Sequence, residues 1–502
     1  MPLFTLTSNN VAHGVYAQEL PTPAIITPSG SNVAVLLGQF PWGPIQQLTY
    51  PGTLATTGSM FAPQGGVRTG SAWLSVIRKT WPILGIVRIG DPTSVAATAS
   101  ILQSSTTLLT LTAKYQGTLG NSIIATVGPP DDGNSNHFNL TLVLSGTSGT
   151  TSETYRNWNV SGTGSNVVAS ASDIANSALL GGVTVVASGI PTAGNYSFSG
   201  GTAGTVTAAS YVGTPGGNDK GFALLEGDTT IDGVCIDDPG STLRPTVNAG
   251  LMAHAALCTD RVAYINGISG QTPANAQADV LNYSSNNVCY VDPWVWVSDD
   301  TDGTIRLIPS ASFAMAVAAQ IPCSLSGAWK SDTISGLLTG ISTLEADRGN
   351  YTVRSQNDAA GITTLIKRPQ RGGFCFEAWQ NTSNTPGKTE LTRTRTGIYI
   401  AKSTVNAWQT SVDAPNTPWF QQDLINSLTI FLEGMKQAYK SQNAAITPYI
   451  VNYGIASAAA ANTNASLANN NYTVAAQVQT GSNMSRINLA LQYGPTVTVT
   501  AA

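Results

Sequence analysis

The chain has 502 residues, 42% of them hydrophobic and 10% charged, and a formal net charge of −4. That length gives about three domains and room for a sizeable core. Charge far below the roughly 25% of ordinary soluble domains leaves a surface of Gly, Ser, Thr and Asn, suited to wide packing against other protein. No Lys/Arg run exceeds two residues, which excludes the basic footprint of a nucleic-acid binder. The start, "MPLFTLTSNN", and the lack of any run of about 18 uninterrupted apolar residues predict no signal peptide, no direct membrane insertion and synthesis in the cytoplasm.

Residues 1–25 read as an arm. A strand-like run from Val11 to Leu20, carrying Val15 and Tyr16, is followed by Pro21 and Pro23. Proline has no N–H to give to a ladder and holds the preceding residue extended, so the run projects from whatever follows it. Residues 26–90 form a first piece of core: the apolar strand "NVAVLLGQF", a "PWGP" turn, a helix in "SAWLSVIRKT" and a strand in "ILGIVRIG". Between 91 and 215 only seven residues are charged and the pattern turns to β alternation, as in "HFNLTLVLSG". This predicts a β-rich inserted domain on a periphery.

From 216 to 480 an α/β core resumes. "TVNAGLMAHAALC" and "SASFAMAVAAQI" read as helices, "RVAYIN" and "NVCYVDPWVWV" as strands, an alternation that favours a mainly parallel sheet. The clearest helix is "PWFQQDLINSLTIFLEGMKQAYK", with Phe420, Leu424, Leu428, Phe431, Met435 and Tyr439 on one face, Thr417 as N-cap and Pro418 in the first turn. Lys436 and Lys440 stand at its C-terminal end, where the helix dipole favours cations. After the loose "ASAAAANTNASLANNN", residues 481–502 form a C-terminal arm in which Ile487, Leu489, Leu491 and Tyr493 alternate with smaller or polar residues. The predicted fold class is thus a mixed α+β (α/β) core of helices packed on a sheet, interrupted by a β-rich insertion, with extended strand arms at both ends.

Motifs for chemistry are sparse. Gly387, Lys388 and Thr389 match the end of a phosphate-binding loop, but the required earlier glycine is Thr382, so a surface turn is expected. "SDDTDGTIRLIP" lacks the first and last ligands of a calcium loop and reads as a hairpin turn at Asp302-Gly303. His13, His137 and His254 lie in separate segments, and His254 on an apolar helix reads as a core residue. Cys235, Cys258, Cys289, Cys323 and Cys375 are widely spaced in apolar context and read as free thiols; no pair has the spacing of a zinc site. No catalytic residue, cofactor or metal is predicted. The Ser/Thr/Gly-rich insertion leaves a second reading open, a β-rich surface adhesin or carbohydrate-binding protein, with Trp158, Tyr155 and Tyr196 as its aromatic candidates.

An extended segment that cannot join its own core can add to the edge of a neighbour's sheet. With one arm at each end the same chain can engage more than one copy, in rings or helical arrays. Here the sequence resembles the contractile tail sheath proteins of tailed phages and the related sheaths of phage-like bacteriocins and secretion machines. The similar passages are "HGVYAQELPTPAIITPSGSNVAVLLGQFPWGP", "LTAKYQGTLGNSIIATV", "GFALLEGDTTIDGVCIDDPG" and "LTRTRTGIYIAKSTVNAWQTSVDAPNTPWFQQDLINSLTIFLEGMKQAYK". Two details depart from the family pattern: Arg393-Thr-Arg395 replaces an Arg-Arg pair, and Ala414 replaces the glutamate of an E-P-N turn.

The resemblance implies a virion protein assembled in the host cytoplasm as stacked hexameric rings around an inner tail tube, contacting baseplate and tail terminator proteins and contracting for genome delivery. It implies arms woven into neighbouring subunits, through Val11, Val15 and Tyr16 at one end and Ile487, Leu489 and Leu491 at the other. It also places the late helices nearest the tube. Residues 391–440 hold five basic groups against three acidic ones, which makes Lys402, Lys436 and Lys440 the candidates for tube contact.

Overall fold

The computed structural model describes residues 26, 33–61, 84–146, 149–160, 171–298, 304–329, 338, 340–368, 373–412, 416–440, 448–457, 462–463 and 471–481. Both arms and the "SAWLSVIRKT" helix fall outside them. Two compact units emerge, Gly30–Ile398 and Tyr399–Gly481.

The centre of the larger unit is an eight-stranded sheet of β1 (Val33–Gly38), β2 (Leu48–Thr49), β3 (Leu84–Arg88), β11 (Ile231–Ile236), β12 (Val262–Asn266), β13 (Val288–Asp292), β17 (Ile362–Arg368) and β18 (Gly373–Glu377). Their spatial order is β18-β17-β13-β12-β11-β1-β3-β2. The six inner strands run parallel, with β2 and β18 antiparallel at the two edges. Parallel strands covered on both faces read as continuous apolar runs, and "VAYIN" and "VCYVD" are buried at every residue.

Helices α3 (Ala208–Val212), α4 (Arg244–Cys258) and α5 (Pro273–Val280) supply Tyr211, Val247, Leu251, Ala276 and Val280 to the core beside Val35, Val234 and Ile265. Strands alternate side chains between faces. The opposite sheet face, with Gly233 and Tyr264, meets Met315 of α6 (Ala311–Gln320), a helix with nine buried residues. Helix α7 (Tyr351–Ala359) packs on β17, and α1 (Leu54–Phe61) places Phe61 against Phe40 at 5.3 Å between ring centres. The "NVCYVDPWVWV" passage, read as one strand, is two: it breaks at Pro293, and β14 (Val295–Ser298) leaves the main sheet for a small one with β15 (Ile305–Ile308) and β16 (Ile341–Leu344). Asp302-Gly303 lies outside the described residues, between the antiparallel β14 and β15.

Between β3 and β11 the chain builds two antiparallel sheets. One joins β4 (Ala96–Gln103), β5 (Thr106–Gln116) and β9 (Leu180–Val185); the other joins β6 (Ile123–Gly128), β7 (His137–Gly146), β8 (Gly149–Asn159) and β10 (Gly194–Ser197). The short helix α2 (Ala171–Asn176) leads into β9. Both sheets feed one apolar cluster, including Ile101, Leu109, Leu140, Leu142 and Trp158. Trp42, from the "PWGP" turn, is buried in that cluster and donates its indole N–H to Ala178 O at 3.2 Å. Arg88 ends β3 and is buried: its guanidinium donates to the carbonyls of Phe40 at 2.8 Å, Gly43 at 2.6 Å and Gln116 at 2.8 Å. The insertion is thus tied to the sheet through backbone carbonyls. Tyr211 already belongs to the sheet's core, so α3 joins that core a few residues before 215, where the sequence had put the boundary.

Helix α8 (Leu391–Trp408) is divided between the two units, and α9 (Pro418–Lys440), β19 (Asn452–Ser457) and β20 (Val474–Gln479) complete the smaller one. The sequence had assigned all of 216–480 to one core. The smaller unit separates because α9 packs on β19 and the end of α8.

Candidate assembly site

Helix α9 forms where the sequence predicts. The Thr417 hydroxyl caps it, accepting from Phe420 N at 3.2 Å, and Lys440 stands in the last turn. Its buried stripe is Leu428, Phe431, Leu432, Met435 and Ala438. Phe420 and Leu424 are only half-buried, and Tyr439 is exposed and stacks on Tyr449 at 5.3 Å. Tyr399 of α8 meets Phe431 at 6.2 Å and the Trp408 indole donates to Ser427 Oγ at 3.1 Å, so the end of α8 and α9 run antiparallel. Val405 and Ile430, 60% and 70% exposed, with Val412 and Trp419, leave apolar surface on this helical pair.

Strands β19 and β20 pair antiparallel from Asn452↔Gln479 to Ser457↔Val474. Sequence reading took much of this region for a loose stretch. The signal was there in the spacing of Tyr453 with Ile455 and of Val474 with Val478, all of them half-buried. Glu433 and Lys436 of α9 hold the hairpin. The Tyr453 hydroxyl donates to Glu433 Oε2 at 3.0 Å, and Lys436 Nζ donates to Asn452 Oδ1 at 3.1 Å and lies 5.5 Å over the Tyr453 ring. Hydrogen bonds from Gln437 and then Tyr453 hold the Glu433 carboxyl below its ordinary range. Among the described residues neither outer edge of this two-stranded sheet has a strand partner. An isolated hairpin is marginal in water, and an open edge is a template for another strand.

Lys436 and Lys440 lie one turn apart on α9, Lys440 exposed and Lys436 half-buried. Lys402 is corrected: at 6% exposure it is not a surface group. It falls on the stripe of Leu391, Arg395 and Ile398 in α8, at four- and three-residue steps that place it on the helix's buried face. Val11, Val15, Tyr16, Ile487, Leu489 and Leu491 lie outside the described residues.

The other motifs take structural places. Gly387 and Lys388 are exposed in a turn pinned by Asn381, whose amide donates to Lys388 O at 2.6 Å and to Thr394 Oγ1 at 3.0 Å. His254 is buried 3.4 Å from Arg261 Nη1 and beside the Phe222 ring; burial, then the Arg261 charge, lowers its pKa to about 4. His137 is bonded to Asp132 in an exposed turn of the insertion. None of the five cysteines forms a disulfide, and desolvation raises the Cys289 pKa to about 12. Trp158 and Tyr155 are buried in the insertion's core, and only Tyr196 of the three aromatic candidates for a carbohydrate platform is half-buried. Among the described residues no acidic, His or Cys cluster could hold a metal ion, and no helix is long and apolar enough to cross a membrane.

No protein-family profile and no curated protein matches the chain. Solved structures do. A sheath tail protein from Listeria innocua aligns with a TM-score of 0.60 at 14% identity, over 90% of this chain and 96% of its own. A sheath tail protein from Desulfitobacterium hafniense aligns at 0.58 and 16% identity, over 84% and 89%. The helical sheath of the anti-feeding prophage in its contracted state aligns at 0.55 and 12% identity, over 97% and 99%. With a parallel sheet, an inserted pair of β sheets and a late helical unit bearing an open hairpin, this chain has the fold of contractile sheath proteins.

Proposed function

We propose that this chain is the structural subunit of a contractile tail sheath. It polymerises as stacked hexameric rings around an inner tube, meets baseplate and terminator proteins at the ends of the stack, and contracts to drive the tube through the host envelope. The observation that carries this reading is the end-to-end likeness to a contracted sheath, which spans 97% of this chain and leaves almost nothing of either protein unmatched.

The open β19–β20 hairpin supports it. Strands from neighbouring copies complete such a sheet through backbone hydrogen bonds, and the runs around Val11, Val15 and Tyr16 and around Ile487, Leu489 and Leu491 have the patterning to supply them. In this reading the work comes from conformational energy stored in the extended array, without catalysis. The insertion, residues 91–215, faces outward and the sheet lies nearer the axis. Lys436 and Lys440 contact the tube, while Lys402 serves the interior of its own subunit. Electron microscopy of purified protein tests the reading: tubes with a regular helical repeat are expected, and a stable monomer at high concentration overturns it.

A further inference from the structure

Strand β1 begins just after the proposed N-terminal arm, and its first residue departs from the regular pairing of the sheet. From Ala34↔Gly233 to Leu37↔Ile236 the partners of β1 on β11 advance one for one. Val33, however, stands opposite Ile231, so Asp232 is an extra residue on β11, a bulge in the ladder. On the other side of β1, pairing with β3 starts at Ala34↔Leu84, and Val33 has no strand partner there among the described residues. Bulges disrupt a ladder locally and serve to end pairing or to re-aim a side chain.

Here the bulge re-aims a carboxylate. The Val33 N–H donates to Asp232 Oδ2 at 3.0 Å, and both residues are half-buried. A hydrogen bond to an ionised acceptor is stronger than one between neutral groups. The first residue of β1 is therefore held by a side chain placed at the end of the ladder. The next residue of β11 fixes where the bulge falls. A side chain at Gly233 would come within 3.1 Å of the Tyr264 ring and 3.3 Å of Met315 Cγ, so slipping β11 by one residue would drive the Asp232 carboxylate into apolar core. Glycine opposite Ala34 keeps Asp232 at the edge, beside Val33.

We infer that Asp232 is a positioning residue for strand exchange: by holding Val33 it fixes the root of the N-terminal arm, and so the point from which the arm reaches a neighbouring copy. The inference rests on the sheath reading and adds to it the side chain that sets where the arm departs from its own subunit. A tethered segment binds according to where its tether starts and how far it must span. An arm with a fixed root also has less conformational freedom to lose when it pairs with a neighbour's strand. Asp232 touches neither the neighbour nor the pairing residues of the arm in this account; it acts through Val33.

The test uses full-length protein and compares wild type with Asp232→Asn, Asp232→Ala and a Gly-Gly insertion between Asn32 and Val33. Asp232→Asn keeps an oxygen in reach of the Val33 N–H and Asp232→Ala removes it. The insertion leaves the bond intact and uncouples the arm from it. Urea unfolding of the unassembled subunit and the concentration at which tubes form, read by light scattering and electron microscopy, are measured for each. Asp232→Ala is expected to raise the tube-forming concentration about tenfold, the scale of a hydrogen bond to a charged group. Asp232→Asn should assemble close to wild type. The insertion should assemble as poorly as Asp232→Ala while unfolding like wild type, which a merely structural Asp232 would not produce. A wild type that builds no tubes overturns the sheath reading and this role with it. Where wild type builds tubes, an insertion variant that assembles like it overturns the anchor alone, even if Asp232→Ala fails to fold. So does Asp232→Ala assembling like wild type, or Asp232→Asn as impaired as Asp232→Ala.

Discussion

His254 offers a quantitative test of the core. It lies on α4 with the Phe222 ring at 5.8 Å, Arg261 Nη1 at 3.4 Å and Cys258 Sγ at 3.9 Å, so both burial and a fixed positive charge oppose its protonation. Its pKa falls from 6.5 in the unfolded chain to about 4 in the folded one. Between those values the unfolded state binds more protons, so stability is full above the unfolded pKa and is lost as pH falls toward the folded one. At about 1.4 kcal/mol per pKa unit the loss from this single site is about 3 kcal/mol. Replacing His254 with Phe removes the titration. The assay is urea unfolding of the unassembled subunit at a series of pH values between 7 and 4, wild type against His254→Phe. The gap between the two curves should shift by about 3 kcal/mol in the variant's favour as the pH falls. Parallel curves would refute the neutral, desolvated histidine described here.

Further outcomes follow from other elements. Arg88→Met leaves the carbonyls of Phe40, Gly43 and Gln116 without their donor, and at about 1–3 kcal/mol per orphaned group should cost several kcal/mol in denaturant unfolding and hasten protease cutting between 91 and 215; a loss below about 1 kcal/mol would show the clamp to be dispensable. Removing residues 1–20 or 485–502 should leave a folded subunit, by circular dichroism, that builds no tubes; sheaths of normal length from either truncation would end the arm reading for that terminus. Reversing Lys440 alone to glutamate leaves the Lys436 anchor of the hairpin in place. Sheaths should then form but contract early or fail to clad the tube, and unchanged extended tails would refute tube contact by Lys440.

The parallel sheet was legible because burial on both faces forces unbroken apolar runs, and "NVAVLLGQF", "RVAYIN" and "ILGIVRIG" carry them plainly. Helix α9 was legible from its spacing and its cap. Less visible was where its apolar stripe stops mattering: Phe420, Leu424 and Tyr439 fit the period but are not buried, because periodicity says which residues share a face and not how far along the helix that face is covered. Lys402 was misplaced for the reverse reason. Charge suggested solvent, whereas its position on the stripe of Leu391, Arg395 and Ile398 outweighed its charge. The hairpin of β19 and β20 was missed because its strands are short, half-exposed and rich in Ala and Gln, so neither alternation nor hydrophobicity stood out locally. What defines them is the bond network from Glu433 and Lys436, which no local pattern records.

That weakness of the hairpin is informative about mechanism. A strand pair able to stand alone would have closed its edges or blunted them with charge or proline, as natural sheets do. Here β19 and β20 show six paired residues each, few apolar side chains and open edges on both sides among the described residues. The anchoring is one-sided, through the helix behind. In the proposed sheath, arms from neighbouring copies would supply the missing strands mainly through backbone hydrogen bonds, which depend little on side-chain identity and hold along the whole strand. Exposed side-chain contacts between subunits would instead be local and individually weak. In that reading contraction would break the weak contacts and keep the strand pairings. A lattice built this way can change its geometry ring by ring without coming apart, because the linkages that must survive and the contacts that must yield rest on different physical interactions.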